Sequence, residues 1–246
     1  MNIRDEEVLR EMNLYPLWVR RNVSVAEQSA GRTSVRPVGL QSDLQASDKP
    51  NISKSPATDW AALKQQVHDC TACGLRAGCT QTVFGVGDEH ADWLFVGEGP
   101  GADEDALGEP FVGQAGKLLD NMLAAIRLKR GDNVYIANIV KCRPPANRTP
   151  APDEIATCLP YLQQQIALIQ PKLIVALGKT AATALLGREA TLGSLRGMLH
   201  NYAGIPLLVT YHPAYLLRSP AEKAKAWQDL CLAQTTLQHS NNGTAS

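Results

Sequence analysis

The chain has 246 residues, of which 44% are hydrophobic, and its 24 basic and 24 acidic side chains leave no net charge. This length can bury one sizeable hydrophobic core with an appendage, and the neutral balance indicates no particular partner. No apolar run reaches the length of a membrane span, and the charged start MNIRDEEVLREM lacks the apolar stretch of a signal peptide, so we expect a cytoplasmic protein with no membrane contact.

The N-terminal part of the chain divides into a peptide and a linker. Residues 1–21 include the apolar stretch EVLREMNLYPLWVRR, whereas residues 22–58 are rich in Ser, Ala, Pro and Asn and show no apolar period. The second composition is typical of a flexible linker. The peptide cannot bury its apolar side chains alone, so it either packs back on the following domain or binds a partner.

A compact domain is predicted for residues 59–238, because four short apolar runs alternate there with stretches of helical spacing. The runs are WLFVG (93–97), VYIANIV (134–140), LIVALG (173–178) and PLLVTYH (206–212). The helical stretches are GQAGKLLDNMLAAIRL, TPAPDEIATCLPYLQQQIALI and KTAATALL. This alternation predicts a three-layer α/β/α fold with a central, mainly parallel four-stranded sheet, followed by a disordered tail at 239–246.

The cysteines offer a set of four thiolates. Cys70 and Cys73 form a C-x-x-C pair, and Cys142 and Cys158 follow later in the chain. The pair alone is compatible with a redox disulfide, a zinc site or an iron-sulfur site. The fifteen residues between Cys142 and Cys158 do not match the second knuckle of a zinc ribbon, although thiolates bind both zinc and iron-sulfur clusters.

Polar residues follow the predicted strands at their carboxyl ends, where ligands bind in such folds. The first strand runs into GEGPGADED (97–105), the second carries Asn138 and the fourth ends near His212. The acidic residues of the glycine loop would repel a pyrophosphate, so the loop suits a neutral ligand better.

A basic segment lies next to this rim. Between residues 127 and 148 the basic side chains are Arg127, Lys129, Arg130, Lys141, Arg143 and Arg148, against one acid, Asp132. The segment predicts a surface for a polyanion, whereas Arg127, Lys129 and Arg130 at a helix end are interpreted as an ordinary solvated face.

Several motifs together resemble the family 4 uracil-DNA glycosylases, the iron-sulfur type. They are CTAC, VFGVGDEHADWLFVGEGPG, GEPFVGQAGKLLDNML, YIANIVKCRPPANRTP, Cys158 and YHPAYLLR, and they span roughly residues 60–235. The resemblance implies a monomeric base-excision repair enzyme that flips deoxyuridine out of single- or double-stranded DNA and hydrolyses its N-glycosidic bond. It also implies a four-iron, four-sulfur cluster on Cys70, Cys73, Cys142 and Cys158. The role of this cluster would be structural, because uracil excision transfers no electrons.

The resemblance also implies roles for individual residues. Phe111 would stack on uracil, Asn138 would read its Watson–Crick edge, and His212 would stabilise negative charge at uracil O2. The implied uracil-binding set is Gly97, Glu98, Gly99, Glu104, Phe111, Asn138 and His212. The implied catalytic residues are Glu98, Asn147 and His212, and the implied DNA-binding residues are Lys141, Arg143, Arg148, Leu217 and Arg218.

Three alternatives and one further partner complete the predictions. The alternatives are a non-catalytic iron-sulfur or zinc module that binds nucleic acid, a related subfamily that crosslinks to DNA through a histidine, and a nucleotide-dependent enzyme. The basic loop KCRPPANRTP has no histidine, which argues against crosslinking. Residues 1–24 are similar to the N-terminal peptide of the bacterial clamp-loader psi subunit, which implies that they bind a clamp loader.

Overall fold

The computed structural model describes residues 59–242, with side chains described as far as His239. The N-terminal peptide, the linker and the clamp-loader hypothesis therefore lie outside the described residues. The disordered tail predicted for residues 239–246 is wrong for its first four residues, because the last helix continues to Asn242.

The described chain builds one six-stranded sheet with the spatial order β1-β3-β2-β4-β6-β5. The strands are β1 (Val86–Gly87), β2 (Trp93–Gly97), β3 (Val134–Asn138), β4 (Leu173–Leu177), β5 (Leu199–Tyr202) and β6 (Ile205–Thr210). The four central strands are parallel to one another, and β1 and β5 add to the two edges in antiparallel orientation.

The four central strands confirm the predicted apolar runs, and the two edge strands were missed. β1 contains only two residues, which is too short for a periodic signal. β5 has the sequence LHNY and is mostly exposed, so it lacks the apolar content that reveals the central strands. Both edge strands belong to antiparallel pairs at the margin of the sheet, where fewer side chains are buried and fewer positions need to be apolar.

Helices cover the sheet and connect its strands. They are α1 (Trp60–His68), α2 (Leu75–Gly78), α3 (Ala102–Leu107), α4 (Gln114–Ala125), α5 (Pro152–Ile169), α6 (Lys179–Leu186), α7 (Leu192–Leu195), α8 (Pro213–Arg218) and α9 (Lys223–Asn242). Short 3₁₀ turns occupy Pro145–Asn147 and Pro220–Glu222. No helix within residues 59–242 is long and apolar enough to cross a membrane.

Two hydrophobic cores lie on opposite faces of the sheet, which confirms the three-layer fold. In β2, Leu94 and Val96 pack into the core beneath α5 and α6, whereas Trp93 and Phe95 pack into the core beneath α4, α8 and α9. Because alternate residues of a strand point to opposite faces, a strand covered on both sides must be apolar throughout. This requirement explains why WLFVG and LIVAL read as continuous apolar runs.

Candidate active site

A cavity of about 510 Å³ opens at the carboxyl ends of the central strands. Its walls come from the glycine loop after β2, the end of β3, the basic loop and the start of α8. The lining residues are Glu98, Gly99, Pro100, Gly101, Glu104, Phe111, Ala115, Asn138, Pro144, Asn147, Arg148, Thr149, His212, Ala214, Tyr215 and Arg218. The structure thus brings together most of the residues that the sequence predicted for the site.

The floor of the cavity is a narrow cradle between Phe111 and Asn138. Gly97, which ends β2, lies directly beneath both side chains. A Cβ atom on Gly97 would lie 2.4 Å from Asn138 Oδ1 and 2.6 Å from the Phe111 ring. These distances are far below van der Waals contact, so only glycine leaves room for the two side chains at this point.

The backbone around Phe111 is held in an unusual conformation. Phe111 has a φ angle of 56°, in the left-handed region that costs energy for a residue with a Cβ atom. The Arg130 guanidinium donates to the carbonyl oxygens of Pro110 and Phe111, at 2.8 Å each. Arg130, interpreted from the sequence as a solvated side chain, therefore fixes the segment that presents the aromatic ring.

Glu104 secures the same segment from the other side. Its carboxylate accepts hydrogen bonds from the backbone N–H groups of Gly101 (3.1 Å), Val112 (2.9 Å) and Gly113 (3.1 Å). Both carboxylate oxygens are engaged, so the side chain forms a fixed wall of the cavity. Glu104 consequently joins the glycine loop to the Phe111 segment.

Asn138 presents an unsatisfied polar atom to the cavity. The residue is buried at the end of β3, and its Oδ1 atom has no hydrogen-bond partner within residues 59–239. Buried side-chain oxygens are nearly always paired, because an unpaired one costs about 1–3 kcal/mol. The arrangement fits an amide that awaits a donor from a ligand.

His212 faces the cavity as a neutral imidazole. Its Nδ1 atom accepts a hydrogen bond from the backbone N–H of Ala214 at 3.2 Å, which leaves the proton on Nε2. Burial, and secondly the positive charge of Arg218, lowers the pKa of His212 from 6.5 to about 4. The ring lies 5.5 Å from that of Phe111, so an uncharged N–H donor stands beside the aromatic floor.

Glu98 is oriented by a residue that sequence reasoning missed. The Thr180 hydroxyl, in the first turn of α6, donates to Glu98 Oε2 at 2.5 Å. Because α6 starts directly after β4, Thr180 lies on the same rim as the other site residues. The strand-end rule that identified Asn138 and His212 could have identified Thr180 too.

The basic loop is organised by internal hydrogen bonds. Arg143 Nε donates to Asn147 Oδ1 at 2.7 Å, and both Ala146 and Asn147 have positive φ angles. Arg148 forms a two-pronged ion pair with Glu154, at 2.7 and 2.8 Å, and this pairing holds the pKa of Glu154 at about 2. Asn147 lines the cavity, whereas the charge of Arg148 is already engaged within the protein.

Helix α8 presents a mixed surface at the mouth of the cavity. Leu216 is fully buried in the core, whereas Leu217 is 44% exposed. Tyr215 is 40% exposed, stacks on Tyr211 with a ring separation of 5.3 Å and lines the cavity, although no prediction included it. Arg218 is exposed and also lines the cavity.

The prediction that Lys141 contacts DNA is wrong. Lys141 is 1% exposed, and its Nζ atom donates to the carbonyl oxygen of Asn138 (3.0 Å) and to Gln165 Oε1 (2.7 Å). Burial lowers the pKa of Lys141 to about 8, and the charge of Cys158 opposes this shift. The basic composition of the loop hid the fact that one of its lysines points into the core.

The four predicted cysteine ligands line one small cavity next to Lys141. Cys70 and Cys73 come from the segment between α1 and α2, Cys142 from the loop after β3 and Cys158 from α5. Burial raises the pKa of the Cys142 and Cys158 thiols. No three cysteine, histidine or carboxylate side chains in residues 59–239 are arranged to hold a single metal ion.

Comparison with known proteins gives consistent matches. A family model described as the uracil DNA glycosylase superfamily matches residues 84–231. The chain is 43% identical over 182 residues to the type-4 uracil-DNA glycosylase of Pyrobaculum aerophilum, an alignment that covers 71% of this chain and 92% of that relative. It is 44% identical over 165 residues to the type-4 uracil-DNA glycosylase of Thermotoga maritima, covering 66% of this chain and 85% of the relative.

A second type of enzyme is less similar. The chain is 32% identical over 148 residues to the type-5 uracil-DNA glycosylase of Pyrobaculum aerophilum, covering 53% of this chain and 64% of that relative. Both the identity and the aligned share are higher for the type-4 enzymes.

Proposed function

Because the chain belongs to the uracil-DNA glycosylase superfamily, and within it to the type-4 uracil-DNA glycosylases, we infer that it excises uracil from DNA. The reaction hydrolyses the N-glycosidic bond and leaves an abasic site for repair. The observation that carries this inference is the cavity floor, where the Phe111 ring and the unsatisfied Oδ1 atom of Asn138 line the same cavity over Gly97.

Uracil recognition is assigned to the floor of the cavity. A base within a duplex is out of reach, so deoxyuridine must first be flipped out of the stack. The flipped ring stacks on Phe111, Asn138 Oδ1 accepts from uracil N3–H, and the Asn138 amide N–H donates to O4. Cytosine presents the opposite donor and acceptor pattern at these two positions, so it leaves buried groups unpaired.

Glu104 is proposed to exclude thymine. Its three hydrogen bonds to backbone N–H groups prevent it from moving aside for a 5-methyl group. A fixed wall discriminates between two ligands that differ by one methyl group better than a mobile side chain does.

Bond cleavage is assigned to His212 and water. As the C1′–N1 bond breaks, its electron pair moves to the uracil ring, and negative charge develops at O2. The neutral imidazole donates Nε2–H to O2, which stabilises this charge without a proton transfer. Water adds to C1′ and loses a proton to the carboxylate oxygen of Glu98 that Thr180 leaves free, and uracil departs as an anion that solvent protonates. Asn147 provides a second polar contact on that side.

The DNA surface is proposed to comprise Arg143, Leu217 and Arg218. Leu217 would fill the space that the flipped nucleotide leaves in the stack, and Arg218 would contact a phosphate. Arg148 contributes by fixing the basic loop through Glu154 instead of by a free charge.

We propose a four-iron, four-sulfur cluster on Cys70, Cys73, Cys142 and Cys158. The proposal is supported by the four thiols that line one cavity, because a four-iron cluster takes one thiolate ligand per iron. The cluster would supply structural cross-linking of the α1–α2 segment, the basic loop and α5.

Excision is tested by measuring free uracil released from single-stranded and U:G duplex oligonucleotides. The wild-type protein should turn over on both. Gly97→Ala should lower the single-turnover rate by roughly 10²-fold or more, because its Cβ atom would displace the Phe111 ring and Asn138 Oδ1, while DNA affinity stays unchanged. Gly193→Ala is the matched control, since a Cβ atom there meets no atom within 4 Å. DNA binding without uracil release by the wild type would instead identify a non-catalytic module.

The cluster is tested by metal analysis. Protein purified without oxygen should be brown and contain about four iron atoms per chain. Cys142→Ala or Cys158→Ala should lose the iron and the cooperative unfolding transition, whereas Cys231→Ala should keep both. One zinc per chain without iron would contradict the cluster.

We also propose that the protein acts as a monomer, as the resemblance to the family 4 enzymes implies.

We propose further that residues 1–24 bind a clamp loader. This second proposal is supported by the similarity of EVLREMNLYPLWVRR to the psi peptide and by the linker-like composition of residues 22–58. Tethering through such a linker would raise the enzyme concentration near newly made DNA.

A further inference from the structure

Lys141 is a buried cation without an anionic side chain beside it. Its ammonium contacts two neutral acceptors, the Asn138 carbonyl oxygen at 3.0 Å and Gln165 Oε1 at 2.7 Å. Within residues 59–239 no carboxylate forms an ion pair with it. Removing an ammonium from water costs several kcal/mol, and two neutral acceptors offset only part of that cost.

The missing negative charge is available from the cysteine cavity. The backbone N–H of Lys141 donates to Cys158 Sγ at 3.2 Å, and Lys141 lines the same cavity as the four cysteines. Thiolates that bind a cluster therefore provide the counter-charge that the ammonium lacks.

The other end of Lys141 holds the residue that reads uracil. Its hydrogen bond to the Asn138 carbonyl fixes the end of β3, from which the Asn138 amide enters the active-site cavity. Gln165 is fixed in turn, because its Nε2 atom donates to the Phe84 carbonyl at 3.0 Å and approaches Tyr135 Oη at 3.4 Å. Lys141 is thus anchored on a rigid support.

We propose that Lys141 is a positioning residue that couples the cysteine site to the uracil pocket through Asn138. The coupling rests on the proposed function and extends it, because it gives the structural cluster an effect on substrate recognition. When the cysteines carry the cluster, the Lys141 backbone N–H is held by Cys158 and its ammonium by the Asn138 carbonyl oxygen, and the amide of Asn138 is fixed for uracil. When the counter-charge is lost, the ammonium moves towards solvent and the amide is released.

Coupling between two sites must act in both directions. If the cluster strengthens uracil binding, bound uracil must retain the cluster more tightly by the same factor. We therefore propose to measure the rate at which the iron-loaded protein loses iron to a ferrous-iron chelator, with and without saturating free uracil. The assay contains no DNA and requires no turnover.

The variants separate coupling from folding. Lys141→Met removes the ammonium and keeps a straight side chain of similar length. Gln165→Met keeps the ammonium but removes one of its acceptors, and it serves if Lys141→Met does not fold. Lys172→Met is the control, because Lys172 is a half-exposed lysine at the amino end of β4, whereas the cavity lies at the carboxyl ends of the strands.

In the wild type and in Lys172→Met, uracil should slow iron loss by roughly fivefold or more, the usual size of such couplings. Protection should be absent in Lys141→Met and reduced in Gln165→Met. The proposal would be overturned if uracil slowed iron loss from Lys141→Met or Gln165→Met as much as from the wild type, or if it did not slow iron loss from the wild type.

Failure of the coupling is distinguishable from failure of the proposed function. Wild-type protein that excises uracil but shows no uracil effect on iron loss disproves the coupling alone. Wild-type protein that releases no uracil from oligonucleotides disproves the function, whatever the iron-loss rates are.

Discussion

At the scale of single residues, the chemistry depends on how burial and neighbouring groups determine the protonation state and hydrogen bonding of each polar side chain. His212 is kept neutral by burial and by Arg218, and its Nδ1 atom is occupied by the N–H of Ala214. The ring can therefore donate only through Nε2. A charged imidazole would bind the uracil anion more strongly, but the buried site favours the neutral donor across the neutral pH range.

His212→Ala should lower the single-turnover excision rate by roughly 10²-fold, because it removes the donor to developing charge on O2. Affinity for uracil-containing DNA should change little, since the interaction strengthens only as the bond breaks. Quenched-flow release of uracil and fluorescence anisotropy measure the two quantities. His90→Ala, an exposed histidine outside the cavity, should behave as the wild type. An unchanged rate in His212→Ala would show that another group stabilises the leaving uracil.

The lowered pKa of His212 also predicts how stability depends on pH. Between about 6.5 and about 4 the unfolded chain binds a proton at this residue and the folded chain does not. The free energy of unfolding therefore decreases as pH falls through this window, by up to about 1.4 kcal/mol per pH unit. Urea unfolding of wild type and His212→Asn at about pH 7 and about pH 5 checks this, because the variant lacks this proton uptake. Equal losses in both proteins would contradict the assignment.

At the scale of secondary-structure elements, α8 divides adjacent leucines between two tasks. Leu216 belongs to the core beneath the sheet, whereas Leu217 is exposed, beside Arg218, which lines the cavity. A sequence of two leucines does not reveal which one is exposed, because the helix phase depends on how α8 packs on α4.

Leu217→Ala should lower excision from U:G duplex by roughly tenfold and leave excision from single-stranded DNA nearly unchanged, because only a duplex needs its stack refilled. Uracil release from the two substrates gives the ratio. Leu107→Ala, an exposed leucine on α3, is the matched control. Equal losses on both substrates would exclude a wedge role. Leu216→Ala, by contrast, should destabilise the fold by about 2–5 kcal/mol.

At the scale of the whole molecule, the catalytic unit is contained in one sheet and its covering helices. Every residue assigned to the cavity or to the cysteine site lies between residues 70 and 218. The match to the superfamily model, residues 84–231, overlaps most of this region. Excision on free oligonucleotides should therefore not require the N-terminal peptide.

Deletion of residues 1–55 should leave iron content, melting temperature and excision rate unchanged, because the cavity and the cysteine site are both built from later residues. Binding of residues 1–24 to a purified clamp-loader complex should disappear in Trp18→Ala, as judged by surface plasmon resonance. Leu40→Ala, in the linker, should bind as well as the wild type. Loss of folding or of activity on deletion would instead indicate that the peptide packs on the catalytic domain.

The sequence by itself determined the fold class and much of the site. Buried parallel strands must be apolar on both faces, so β2, β3, β4 and β6 are visible as continuous runs, and their carboxyl ends indicate where Asn138 and His212 meet. The motifs then identified the family. These features are local, because each depends on residues close together in the chain.

The tertiary structure alone decided which polar side chains are free to act. Lys141 and Arg143 stand two positions apart in one basic loop. Lys141 is buried and donates to Asn138 and Gln165, whereas Arg143 is only partly buried and donates to Asn147. Likewise, Thr180 reaches Glu98 across 82 positions of the chain. Composition records charge and hydrogen-bonding capacity, whereas burial and pairing arise only when distant elements pack against one another.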